Sequence, residues 1–117
     1  MTSDILYLAR RDAYAAFLTA ADAESNVAWH RVDGRFADDG QVVAAIDAAY
    51  AATRGAFNLI DVEGVGPVKE ARTLLEQLAA LNKDGNERPD WKNYKAAREL
   101  FVEAASAYLR GMARELG

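Results

Sequence analysis

Four long stretches of the chain place apolar residues three or four positions apart, and short runs rich in glycine, aspartate, asparagine and proline separate them. This spacing gathers apolar side chains on one face of an α-helix. The first stretch, from about Asp4 to Val32, puts Leu6, Ala13, Phe17, Ala20 and Val27 on one stripe, widened by Tyr14, Leu18 and Ala21. Thr2, Ser3 and Asp4 offer side chains that cap a helix start. The run Asp33 to Gly40 carries two glycines and three aspartates and reads as a turn. The second stretch, capped by Asp38 or Asp39, sets Val42/Val43, Ile46, Ala49/Tyr50, Thr53, Phe57 and Ile60 on one side, with Gln41, Asp47 and Arg54 opposite. Gly55 lies inside it, where glycine costs about 1 kcal/mol against alanine; a close helix contact is expected there.

The third stretch begins at Pro67, whose fixed φ and missing N–H suit a first helical position. Val68, Ala71, Leu74/Leu75, Leu78 and Leu81 line one face, and Lys69, Glu70, Arg72, Glu76 and Gln77 the other. Asn82 to Asn86 ends it, and Pro89 opens the fourth, in which Trp91, Tyr94, Arg98, Phe101, Ala105, Tyr108 and Met112 form a seam broadened by Ala97, Leu100 and Ala104. Short connections make neighbouring helices antiparallel. The expected fold is all-α, an up-down-up-down four-helix bundle filling residues 1–117 as one domain. Its third helix is short, about 16 residues against 25 or more, which leaves a gap of roughly 12 Å at one end. Trp29, Phe36 and Trp91 are expected to gather there and plug it, under the loop Lys83 to Asp90.

Composition adds limits. The 117 residues include no cysteine, so disulfides and thiolate metal sites are excluded, and a cytoplasmic location fits. No apolar run approaches the ~20 residues that cross a bilayer, and the first residues lack the basic-then-apolar order of a signal peptide. The net charge of −4 disfavours nucleic acid, which selects for basic patches.

The loop Glu63-Gly64-Val65-Gly66-Pro67 invites a specific reading, because it resembles the hairpin of helix-hairpin-helix DNA-binding motifs. Those place a small residue four positions after the second glycine. Here that position is Glu70, with Ala71 one later and ~100° round the helix. A tight helix–helix turn with glycines at positive φ explains the loop as well; weak DNA binding through Gly64 to Lys69 is the lesser alternative. No phosphate-loop pattern exists. His30, the one histidine, has no Glu-x-x-His partner set for a di-iron site and no placed nucleophile. The oxygens of the Asp33–Gly40 turn do not fall where a calcium loop needs them. Arg98 lies on an apolar seam, so it must pair with an acid such as Glu24 or Asp12, or reach water while its stem packs; an anion or partner contact in a groove is the sharper alternative. The tyrosines at 7, 14, 50, 94 and 108 read as bundle-edge residues with buried rings and wet hydroxyls. No catalytic residue, metal ligand or cofactor is expected. The candidate binding residues are Trp29, His30, Phe36, Trp91 and Arg98.

Three segments also carry a family likeness: Arg11 to Leu18, Ala48 to Ala51 leading to Val62 through Ala71, and Tyr94 to Ala105. Together they resemble small helical proteins and domains found widely in actinobacteria, without an assigned function. In these, an Arg-x-x-Tyr-x-x-Phe segment opens a helix, a Gly-Pro step starts a later one, and an Ala-Ala-Arg-x-x-Phe helix closes the domain. The resemblance implies no catalytic residues. Its members often follow a membrane segment, and this chain shows none. Since no catalytic constellation appears and the short third helix leaves long apolar faces partly uncovered, the expected function is non-enzymatic: a bundle acting through protein–protein contacts, self-association as a homodimer among them. The alternative is a small-ligand site in the aromatic end pocket.

Overall fold

The computed structural model describes residues 2–82 and 91–116. They form four helices and no strand: α1 (Thr2–Val32), α2 (Asp39–Glu63), α3 (Val68–Leu81) and α4 (Trp91–Leu116). Each start and stop has a local cause. Asp38, in extended conformation, caps α2 by accepting a 2.8 Å bond from the Gln41 N–H, while the Gln41 side chain accepts one from Ala37 N–H. Gly64 ends α2 in the left-handed region at φ +67°, its N–H returning to the Ile60 carbonyl. Pro67 stands one position earlier than expected, as the residue before α3 and not its first, because its ψ of 47° is not helical. The expected Pro89 start and the Lys83–Asp90 cover lie outside the described residues.

The helices build an antiparallel bundle 53 Å long and 24 by 19 Å across. Its cross-section is a rhombus: α1 and α3 touch each other and both remaining helices, whereas α2 and α4 do not meet. Phe17 of α1 sits at the centre, 6.1 Å from the Phe57 ring and 5.1 Å from Phe101, and is fully buried with Phe101, Leu74 and Ala71. Burying each such large apolar side chain stabilises by about 2–3 kcal/mol. The α3 stripe is as expected, with Ala71, Leu74, Leu78 and Leu81 inside.

Elsewhere the core departs from the expected stripes. On α1 it runs through Tyr14, Phe17, Ala21, Glu24, Ser25 and Ala28. Leu6 is exposed because Arg10 already meets Glu63 at the end of α2, so the first two turns of α1 project past the α2–α3 turn. On α4, Ala97, Phe101 and Ala105 hold the seam, and Leu100, ~100° round from Phe101, is 57% exposed. Val43 and Tyr50 likewise face water. Gly55 makes no close contact: a methyl group built on it meets nothing within 4 Å.

Candidate functional site

Helix α1 presents polar groups to both flanks of the bundle. Toward α4, Asp22 receives a forked ion pair from Arg98, Nε to Oδ1 at 2.8 Å and Nη2 to Oδ2 at 3.0 Å. The Tyr94 hydroxyl, one turn before Arg98, donates to the same Oδ1 at 3.0 Å. The Arg98 bond holds the Asp22 carboxyl below its ordinary value against the opposing effect of burial, and Asp22 in turn raises Arg98. Burial pushes the Tyr94 hydroxyl up to about 12. The expected partners of Arg98 are thus corrected. Asp12 binds Arg11 instead, and lies ten residues, or ~15 Å, along the helix from Asp22. Glu24 is two residues on, ~200° round, and points to the opposite flank.

Trp29 and Trp91 meet edge-to-face at 5.7 Å, at the same end of the bundle. With Ser25, Asn26, Tyr94 and Lys95 they line a shallow cleft of about 470 Å³ on the α1/α4 flank. Trp29 is 46% exposed on this flank, whereas Trp91 is half-buried and packs against the core. Phe36, in the α1–α2 connection, pairs with His30 at 6.2 Å. The five residues singled out from sequence therefore form three groups: the tryptophan pair, the His30–Phe36 pair, and Arg98 bound to Asp22.

The chain matches no protein-family model, no curated protein and no solved structure.

A feature that pattern reading passed over lies on the other flank. Between α2 and α3 runs a cleft of about 430 Å³, lined by Tyr50, Arg54, Phe57 and Asp61 from α2, and by Arg72, Leu75, Glu76 and Ala79 from α3. Its floor is Glu24 of α1, only 4% exposed. Burial raises the Glu24 carboxyl above its ordinary value, and a hydrogen bond with the Thr53 hydroxyl offsets this in part. Thr53 Oγ1 lies within donating distance of the Ala20 and Ala49 carbonyls, at 3.2 and 3.0 Å. The signal was present in the sequence: 17, 21, 24 and 28 recur at helical spacing, and Glu24 occupies a core position on that stripe.

The Gly64–Pro67 turn is built into the bundle. Arg10 donates to Glu63 Oε2 at 2.8 Å and to the Tyr108 hydroxyl at 2.7 Å, with its guanidinium 5.5 Å from the Tyr108 ring centre. Burial would lower the Arg10 pKa, but Glu63 outweighs it and the net shift is upward. Gly66, at φ +77°, faces Tyr14 and Tyr108 so closely that a methyl group would stand 2.6 Å from the Tyr14 hydroxyl. Among the described residues, no group of three or more His, Asp or Glu side chains is placed to hold a metal ion.

Proposed function

We propose that the protein is a non-enzymatic interaction module working through protein–protein contacts, and that its contact surface is the outer face of α2, met by a second copy. One observation carries this reading. The line of α2 opposite its buried residues Thr53, Phe57 and Ile60 runs through Gly40, Ala44, Ala48, Ala51, Gly55, Asn58 and Val62, all exposed and uncharged, with Asp47, Arg54 and Asp61 along one side of it. Leu59 and Val62, 59% and 86% exposed, extend the apolar strip. The outer faces of α3 and α4 carry the charges expected toward water, among them Arg72 and Glu76, and Glu99, Glu103 and Arg110. On α2 the exposed charges Asp47, Arg54 and Asp61 keep to one side and leave the centre of the outer face to small residues.

A strip of glycine and alanine lets another backbone approach closely, and a second α2 in antiparallel orientation about Ala51 offers the same small residues in return. A self-complementary patch of this kind is what a two-fold dimer requires. Twenty-five residues make a strip about 37 Å long and ~10 Å wide. Burying it on both copies removes roughly 700 Å² from water, well below the ~1,200 Å² at which stable interfaces begin, so the dimer is weak. The resemblance to small actinobacterial helical proteins is compatible with this reading.

Sedimentation equilibrium from about 10 to 500 μM tests it, a range that brackets a weak dimer. Concentration-dependent dimerisation, abolished by Ala51→Glu with the helical circular dichroism unchanged, is expected. A strict monomer throughout, or a dimer indifferent to Ala51→Glu, overturns it.

A further inference from the structure

The cleft between α2 and α3 contains an acid and a base that, among the described residues, no oppositely charged side chain answers. Glu24, at its floor, has no basic partner among the described residues. Arg54, at its lip, has no carboxylate partner there; its guanidinium rests 5.8 Å from the Tyr50 ring and 5.9 Å from the Phe57 ring. The second arginine of the cleft is already engaged, Arg72 with Asp61 at 3.0 Å. A buried acid without a cation is costly to keep, and a leucine of similar size would fill the same core position without that cost. A planar guanidinium held across two rings leaves its N–H fork free to meet a carboxylate. Between the two charges stand the apolar walls Phe57, Leu75 and Ala79. The volume, about 430 Å³, lies within the range of small-molecule sites.

We propose that this cleft binds a small zwitterion, an amino acid with an apolar side chain, whose ammonium group is taken by Glu24, whose carboxylate is taken by Arg54, and whose side chain lies against Phe57 and Leu75. Binding supplies each unanswered group with its counter-charge in one step. A ligand bearing only one charge leaves either Glu24 or Arg54 as it was, so both charges contribute to selectivity. The proposal is independent of the dimer, since Glu24 and the cleft walls lie off the centre line of the outer α2 face.

The test is an amide chemical-shift titration of the full chain with L-phenylalanine, run in parallel with phenethylamine, which keeps only the ammonium, and 3-phenylpropionate, which keeps only the carboxylate. It is carried out at the lowest workable protein concentration, so that association of copies does not contribute. Saturable shifts with L-phenylalanine, centred on Glu24, Thr53, Arg54 and Leu75, are expected below about 10 mM, with each single-charge analogue at least ~tenfold weaker. Glu24→Gln and Arg54→Gln each weaken L-phenylalanine binding by at least ~tenfold, the loss of one partly buried charge pair. Arg54 is exposed, so its variant keeps the test alive should Glu24→Gln disturb the core. Absence of shifts at these positions up to about 10 mM, equal binding of the single-charge analogues, or unchanged binding by both variants overturns the proposal.

Discussion

Three glycines of this chain occupy different physical situations, and replacing each by alanine separates them. Gly55 lies inside α2 with helical backbone and open space around the added methyl group. Alanine there removes unfolded-state freedom and improves helix propensity, a gain of about 0.5–1 kcal/mol. Gly64 is left-handed at φ +67°, with the nearest atom, the Asp61 carbonyl oxygen, 3.9 Å from the new methyl. Only the backbone penalty applies, about 1–2 kcal/mol. Gly66 pays the same backbone term at φ +77°, and its methyl would lie 2.6 Å from the Tyr14 hydroxyl and 3.2 Å from the Tyr108 ring. Tyr14 is buried, 5% exposed, and packs edge-on against Phe101, so it cannot swing aside. Overpacking of this kind adds about 1–3 kcal/mol, for a total near 2–5 kcal/mol. Urea titrations followed by circular dichroism at low protein concentration should rank the variants Gly55→Ala above wild type, then Gly64→Ala, then Gly66→Ala. In thermal melts each kcal/mol moves the midpoint by about 4 °C for a chain of this size. Adding Tyr14→Phe removes the clashing oxygen and should recover about 1–3 kcal/mol of the Gly66→Ala loss. Equal costs for Gly64→Ala and Gly66→Ala, or no recovery in the double variant, would refute the packing argument and leave only the backbone one.

The two α1 carboxyls should titrate with opposite sign. The folded value of Asp22 lies below its ordinary 3.8, so its contribution is full above about pH 4 and fades as pH falls through the folded value. For a pair this exposed, Asp22→Asn should cost about 0.5–1 kcal/mol at pH 7 and progressively less under acid denaturation; an undiminished difference at about pH 3 contradicts this. The folded value of Glu24 is raised, so wild-type stability falls as pH rises through it, and Glu24→Gln should gain on wild type over that interval in the same titrations. Leu100→Gln, on the exposed side of α4, should change stability by less than about 0.5 kcal/mol, whereas Phe101→Ala next to it should cost about 3–5 kcal/mol. Similar costs in urea titration would mean that α4 is rotated.

The legible parts of the fold were those that local chemistry determines. Asp38 and Gly64 announce the ends of α2, and the leucines of α3 admit one buried face. The seam of α4 was harder, because alanine suits both the inside and the outside of a helix: Ala96, Ala97, Ala104 and Ala105 do not say which way Leu100 turns. The partner of Arg98 depends on the sliding register between α1 and α4, and a periodic stripe carries no information about register. Glu24 escaped because its chemistry argues for a surface while its position in the repeat argues for the core, and an apolar filter follows the chemistry. The gathering of Trp29 and Trp91 was legible from topology alone; the exposure of Trp29 was not.

The rhombic cross-section has a mechanical consequence. Since α2 and α4 do not meet, a displacement of α2, whether by a second copy on its outer face or by an occupant of the Glu24 cleft, reaches α4 only by way of the α1–α3 diagonal. Asp22 and Glu24 lie two residues apart on α1, one gripping α4 and the other flooring the cleft, so a small roll of α1 is felt on both flanks at once. Trp29, one to two turns further along α1 and stacked edge-on to Trp91, sits where that roll changes the angle between two indoles. A roll of that kind would therefore be readable in tryptophan fluorescence, on the side away from the α2 face.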